Sequence, residues 1–334
     1  MQKLLTIIVP VYKVERYIRK CLDSLLLEDK ALRESLEVIV VNDGTPDRSA
    51  DISREYARQY PEVFRQIDKE NGGHGSAWNT GLRAATGKYI KFLDSDDWFT
   101  NLDRLLVSLR GMDADIVFNP FVKEYVHEGR SETVNDSSFS KSVSALDPTL
   151  WGVGTYGYNS VNFWSLTYKA EILKPLQPIF AEGVMFDDYI LTWVPLVFGR
   201  TAIALDEPVY HYFIGRPEQS MSRTNGQRGA YSYVRCLEQF ETVRSRIDTR
   251  SIPADFLERI NESITGYASY VFPSMIHLPY REAKKKMDWI WAEYLSQSDS
   301  HSSLQKRFSQ IPFCLFFPLE KWRRKVNQIR FHRG

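Results

Sequence analysis

Along the first hundred residues, apolar runs alternate with stretches of helical period. Leu4–Val9, Leu36–Val41 and Tyr89–Leu93 are short runs rich in Ile, Val and Leu, the pattern of strands covered on both faces. Between the first two, Val14–Leu27 carries apolar residues at 14, 17, 18, 21, 22, 25 and 26, which predicts a helix with one buried stripe. Asp47 or Ser49 stands where it caps a second helix running to Tyr60. A third, Gly75–Thr86, presents the small residues Ala77, Gly81 and Ala85 along one face. Strand and helix in alternation imply right-handed crossovers and a mostly parallel sheet.

Beyond residue 100 the pattern is mixed. Asp115–Val122 reads as one strand after a further helix, and the Ser-, Glu- and Asp-rich stretch Glu128–Ser144 as a surface loop. Residues 151–213 hold fourteen aromatic residues. Most belong to a core, with Trp151, Tyr156 and Trp164 as candidates for a flat face against a sugar ring. From Gly226 the period is helical, over Tyr231–Arg246, Ala254–Val271 and Tyr280–Leu295.

Composition narrows the class. The 334 residues, 43% hydrophobic and 25% charged, can bury a core of their own. That excludes a mainly disordered, collagen-like or coiled-coil chain. A net charge of +1 provides no overall field for nucleic acid. Cys21, Cys236 and Cys314 have no metal-ligand spacing and read as reduced thiols. The opening apolar run stops at Pro10, too short for a secretory signal, and no run approaches the roughly 18 apolar residues of a membrane span. A cytoplasmic protein is expected. The charge is unevenly placed: residues 304–334 carry eight basic residues against Glu320, a net +7, which leaves −6 on the rest.

In an open parallel sheet, ligands meet the carboxyl ends of the strands. After the first strand stands Pro10-Val11-Tyr12, with no G-x-G-x-x-G, which argues against a dinucleotide-binding dehydrogenase; no P-loop occurs either. After the second comes Asn42-Asp43-Gly44-Thr45, and after the third Asp94-Ser95-Asp96-Asp97. Residues two apart in extended chain point the same way, so Asp94 and Asp96 converge. Paired hard oxygens suit Mn²⁺ or Mg²⁺ on a diphosphate; a turn with acidic caps is the plainer alternative.

Four motifs, Pro10-Val11-Tyr12, Val41-Asn42-Asp43-Gly44, Asn71-Gly72-Gly73 through Asn79-Thr80-Gly81, and Phe92-Leu93-Asp94-Ser95-Asp96-Asp97-Trp98, stand in this order. Together they resemble the inverting nucleotide-sugar glycosyltransferases of family two, closely over residues 4–100 and loosely over 101–223. The resemblance implies an α/β GT-A fold, a Rossmann-like, mostly parallel sheet flanked by helices, with a C-terminal helical extension. The expected divisions are a catalytic domain 1–223 (nucleotide-binding half 1–100, acceptor half 101–223), a helical region 224–303 and a basic amphipathic tail 304–334. By the same resemblance Pro10, Tyr12, Glu15 and Asp43 hold the uracil and ribose of a UDP-sugar, and Asn79 hydrogen-bonds near the nucleotide. Asp94 and Asp96 hold the ribose and the metal. Lys13 stands where the family commonly has Asn, and Trp78 where it has Arg.

An inverting transfer needs a base for the acceptor hydroxyl. The family's downstream acidic pair corresponds to Asp187-Asp188, with Asp188 as base and Asp187 as the lesser candidate. Adjacent carboxylates raise one another's pKa, although Asp at a helix N-terminus is also favoured by capping and dipole. Tyr210-His211-Tyr212 and Arg216 through Arg223 resemble the segment that closes over the diphosphate. His211 is the candidate third metal ligand, and Arg216, Ser220 and Arg223 are candidate diphosphate donors. His74, in a Gly-rich turn, stands near the donor sugar. The implied activity is metal-dependent transfer to a glycan acceptor in cell-surface polysaccharide synthesis. A sugar nucleotidyltransferase is the alternative, but Pro10–Arg16 is not its Gly- and Arg-rich phosphate loop.

The tail suggests a separate role. Residues 311–319 are apolar but broken by proline, and Trp322, Val326 and Ile329 share one helical face while Arg323, Arg324 and Lys325 point away. Such a segment fits the interface of an anionic membrane, on the inner face if the acceptor is polyprenyl-linked. A helix docked on the body by the same stripe is the alternative.

Overall fold

The computed structural model describes residues 3–135, 140–150, 161–215, 226–296 and 302–331. The chain opens with β1 (Leu5–Val11), α1 (Ile18–Asp23), α2 (Lys30–Ser35), β2 (Leu36–Asp43), α3 (Ser49–Gln59), β3 (Phe64–Lys69), α4 (His74–Ala84) and β4 (Tyr89–Phe92). Every residue of β1, β2 and β4 is buried, in keeping with largely apolar runs in a sheet that helices cover on both faces. Ile8 lies between Ile39 and Phe92 in a parallel register. The small face of α4 packs on β1, where a Cβ on Gly81 would come within 2.3 Å of the Ile8 methyl.

One expectation changes here and two features are new. Helix α1 covers only Ile18–Asp23 of the helix expected over Val14–Leu27. The edge strand β3, Phe-Arg-Gln-Ile-Asp-Lys, has too little apolar character to announce itself; its parallel pairing with β2 makes it a strand. Lys13 takes φ 56°, a left-handed conformation that Asn tolerates better than Lys.

There follow β5 (Trp98–Phe99), α5 (Leu102–Leu109), β6 (Ile116–Phe118), β7 (Phe121–Tyr125), β8 (Arg130–Val134), β9 (Ser144–Ala145), β10 (Leu166–Lys169), α6 (Ala170–Leu173), α7 (Ile190–Phe198), β11 (Thr201–Ala204) and β12 (Tyr210–Ile214). The central sheet has the order β3-β2-β1-β4-β10-β6-β11-β9, and a smaller one runs β5-β12-β7-β8. The single strand expected over Asp115–Val122 is two strands in different sheets. Asn119-Pro120 breaks it, since proline donates no ladder hydrogen bond. Part of the expected loop Glu128–Ser144 is β8, antiparallel to β7.

The rest of the described chain is helical: α8 (Gln227–Arg244), α9 (Ala254–Val271), α10 (Tyr280–Ile290), α11 (Ser303–Gln310) and α12 (Phe313–Phe331). Helix α12 runs through Pro318. It docks by Phe316, Phe317 and Glu320, all buried, with Arg307 Nε 2.5 Å from Glu320 and Arg324 donating to the Pro273 carbonyl at 2.6 Å. Leu315, Leu319 and Trp322 remain exposed on another face. Among the described residues, no helix is long and apolar enough to cross a membrane.

Candidate active site

The site is assembled where β1, β2 and β4 end. At the end of β2, Asp43 is buried and fully engaged. Its Oδ1 accepts from Lys69 Nζ at 2.7 Å and from the Gly72 amide at 2.9 Å, and its Oδ2 from the Gly73 amide at 2.8 Å. These bonds fix the loop before α4. Gly73 there has φ 87° and lies against Gly183, whose amide donates to the Gly72 carbonyl at 2.7 Å. The first residue of α4 is thereby aimed between two carboxylates.

That residue is His74. Its Nδ1 is 3.0 Å from Asp187 Oδ1, and its Nε2 is 3.0 Å from Asp94 Oδ1. Burial by itself would lower the imidazole pKa, but the Asp187 and Asp94 carboxylates outweigh it and hold His74 well above the usual histidine range. With a carboxylate at each ring nitrogen, the geometry favours the imidazolium, the form in which both nitrogens donate. Gly75 makes the approach possible: a Cβ there would meet the Ala181 carbonyl at 2.3 Å and Asp187 Oδ2 at 2.4 Å.

Asp94 follows β4 in a turn tied to β12. The Asp94 amide donates to the Tyr210 hydroxyl at 3.2 Å, and that hydroxyl donates to Asp97 Oδ2 at 2.6 Å. The Phe213 amide completes the clamp on Asp97 Oδ1 at 2.8 Å. Nothing in the spacing of the chain singled out this Asp97–Tyr210 tie.

The acidic pair lies in a short 3₁₀ turn, Asp187–Tyr189, leading into α7. Phe186 enters it at φ 65°, held by stacking on Tyr233 of α8 at 4.9 Å. Asp187 is buried. Asp188 is half-buried, and its carboxyl is pushed up to about 7, first by burial and then by the Asp187 charge, with His74 pulling the other way. A carboxylate poised there suits a general base near neutrality.

Other candidates have different surroundings. Asn79 is buried and internally satisfied: its Nδ2 donates to the Phe180 carbonyl and to Glu182 at 3.0 Å, and its Oδ1 accepts from the Ile179 and Phe180 amides at 3.1 Å. Instead of offering groups to a nucleotide, it pins the loop that leads to Asp187. Trp78 fills a ring cluster with Phe92, Phe163 and Phe180, and Trp164 stacks on Tyr212 at 4.2 Å. Pro10 is buried in β1 and Tyr12 is exposed beyond it. Glu15 accepts from the Arg48 amide at 3.2 Å, in front of α3. Arg216, Ser220, Arg223, Trp151 and Tyr156 lie outside the described residues.

His211 does not join the carboxylates. Its Nδ1 is 2.7 Å from Glu124 Oε1, its Nε2 is 2.9 Å from Thr100 Oγ1, and its ring stacks on Trp98. Strand alternation is the reason: Tyr210 and Tyr212 turn one way toward Trp164, and His211 between them turns the other. No group of three His, Cys, Asp or Glu among the described residues is arranged to hold a metal ion. Asp94–Asp97 is a turn, closed by the Asp97 amide on the Asp94 carbonyl at 3.0 Å, and not the extended chain from which Asp94 and Asp96 were expected to converge. As half-buried hard-oxygen donors they suit Mn²⁺ or Mg²⁺, which need few protein ligands when diphosphate and water supply the others.

Part of the chain is similar to a known family. Residues 6–158 match the one described as Glycosyl transferase family 2. Among curated proteins the chain is 29% identical to glycosyltransferase GlyA of Streptococcus pneumoniae, over 72% of this chain and 34% of GlyA. It is 29% identical to the putative glycosyltransferase EpsH of Bacillus subtilis, over 63% of this chain and 60% of EpsH. The chain thus spans about a third to three-fifths of these relatives. Among solved structures, S. aureus TarS in complex with UDP-GlcNAc superposes with TM-score 0.59 at 19% identity, covering 88% of this chain and 90% of TarS as crystallised. The mannosyltransferase PcManGT of Pyrobaculum calidifontis, with GDP-Man and Mn²⁺, gives 0.52 at 19% identity, over 96% and 85% of the two chains. These superpositions show the GT-A fold.

Proposed function

We propose that this chain transfers a sugar, with inversion, from a UDP-sugar to a hydroxyl of a glycan acceptor in cell-surface polysaccharide synthesis. The observation that carries the reading is the chain Asp94–His74–Asp187, which joins the strand-end carboxylates to the acidic pair bearing Asp188. The relatives named as glycosyltransferases and the nucleotide-sugar complexes of the structural neighbours support it.

In this reading Pro10, Tyr12, Glu15 and Asp43 shape the nucleotide end, Asp43 by holding the Gly72–Gly73 loop. Asp94 and Asp96 would hold Mn²⁺ or Mg²⁺, which when bound offsets the charge of the leaving diphosphate. Asp188 takes the proton of the attacking hydroxyl, and His74 keeps Asp187 and Asp94 in register. Arg216, Ser220 and Arg223 are assigned to the diphosphate by resemblance. UDP released from a panel of UDP-sugars with Mn²⁺, and lost in Asp96→Ala, is the expected result. Full turnover in excess chelator, or pyrophosphate formed from UTP and a sugar 1-phosphate, would overturn it.

We further assign the acceptor to a polyprenyl-linked glycan on the inner face of a membrane. The exposed row Leu315, Leu319 and Trp322 of α12, flanked by the exposed Lys321 and Arg323, supports contact with an anionic bilayer. The full chain should sediment with phosphatidylglycerol vesicles at low salt, and serine at those three positions should release it. Failure of the unaltered chain to sediment would overturn the membrane contact.

A further inference from the structure

Beside the loop that leads to the acidic pair lies an open groove of about 570 Å³. Gly183 and Val184 form one wall, and Arg228, Tyr231, Ser232 and Arg235 of α8 the other. Both walls are joined to the site. The Gly183 amide donates to Gly72, and the Met185 amide donates to Ser232 Oγ at 3.2 Å. Arg228 and Arg235 are seven residues apart, two helical turns, and so share a face.

Both guanidinium groups are exposed, and neither has a carboxylate partner among the described residues. Of the nearby acids, Glu238 is paired with Lys286, while Glu182 and Glu282 keep their charge and accept from the neutral Asn79 amide and Tyr231 hydroxyl. The wall offers two planar forks with no ion-pair partner among the described residues, the group best matched to phosphate oxygens. The exposed Gln227 amide on the same wall suits sugar hydroxyls, so it is the two guanidinium forks that mark the groove for a phosphate-bearing molecule.

We propose that this groove binds the phosphate of a phosphate-bearing acceptor, with Arg228 and Arg235 as its anchors. That the bound molecule is the acceptor rests on the glycosyl-transfer reading; the anion site does not. The shared chemistry is a phosphate ester, which either a polyprenyl diphosphate or a polyol-phosphate chain would supply.

The test is calorimetric titration of the full chain in saturating UDP and Mg²⁺, so that the donor diphosphate site is blocked. The probes are geranyl diphosphate, a glycerol-phosphate hexamer and, as an uncharged control, maltohexaose. At least one phosphate probe should bind saturably and maltohexaose should not. The double variant Arg228→Gln/Arg235→Gln should weaken that binding tenfold or more, with Arg228→Lys/Arg235→Lys intermediate and the thermal midpoint unmoved in both. Binding of geranyl diphosphate alone identifies a lipid-linked source, and binding of the hexamer alone a polyol-phosphate chain. No saturable binding of either, or equal affinity in the glutamine variant, overturns the proposal. Absence of UDP release from every UDP-sugar would instead defeat the transfer reading and leave the anion result standing.

Discussion

His74 Nδ1 lies 3.0 Å from Asp187 Oδ1, a contact between residues 113 apart in the chain. Because the other ring nitrogen meets Asp94, one imidazolium ties the end of β4 to the entrance of α7. The rigid sheet carries one partner and the loop before α7 carries the other, so His74 sets their spacing.

That charge also tunes Asp188. With its carboxyl pushed up to about 7, Asp188 gains its base form as pH rises, so kcat/KM should climb through an acidic limb near pH 7. His74→Gln removes a cation that lowers this pKa, and the limb should move to higher pH by roughly 0.5–1 unit. A pH–rate profile that keeps its limb in place would exclude the coupling.

Asp188→Asn should abolish transfer and stabilise the fold. The folded pKa lies above the unfolded value, so the charge costs stability increasingly from about pH 4 to pH 7 and fully above it. Discounted for its partial exposure, the gain should be roughly 1–3 kcal/mol at pH 8 and negligible at pH 4. Urea denaturation at the two pH values measures it.

Gly75→Ala reverses the usual rule for helices. Alanine commonly gains about 0.5–1 kcal/mol over glycine in a helix interior. Here its Cβ would strike the Ala181 carbonyl and the Asp187 carboxylate. Overpacking should leave the variant less stable by about 1–3 kcal/mol and slow transfer, as chemical denaturation and initial rates would report.

Lys91 gives an independent test on the core. It is buried in β4, donating to the Trp164 and Leu166 carbonyls at 3.1 and 3.0 Å, and burial lowers its pKa to about 7. The folded value lies below the unfolded one, so this site adds stability as pH rises from about 7 toward 10. Between pH 7 and 9 the native chain should gain roughly 2 kcal/mol relative to Lys91→Met. Parallel stability curves for the two proteins would refute it.

The strand runs at Leu4–Val9, Leu36–Val41 and Tyr89–Leu93 were legible because a strand buried on both faces is mostly apolar, its few polar residues, such as Thr6, Glu37 and Lys91, being hydrogen-bonded inside. Helix α9 was legible to the residue because its stripe keeps one period over 18 residues. The carboxylates at 43, 94, 187 and 188 were legible as motifs, although their surroundings were not. Strand β3 escaped because its residues are mostly polar and only its pairing with β2 makes it a strand. The turning of His211 toward Glu124 escaped because a strand's register decides which of its faces meets the site.

Local order of apolar and polar residues thus determined which segments became helix or strand and where acids could gather at strand ends. Tertiary structure alone decided that His74 bridges two of those acids, that Asn79 serves the loop before Asp187, and that α12 docks by Phe316 and Phe317 with Trp322 exposed. Secondary structure follows a repeat of two or 3.6 residues, which the chain displays within a few turns. Ion pairing and the choice of a buried face depend on neighbours brought from far along the chain, and no local repeat records them.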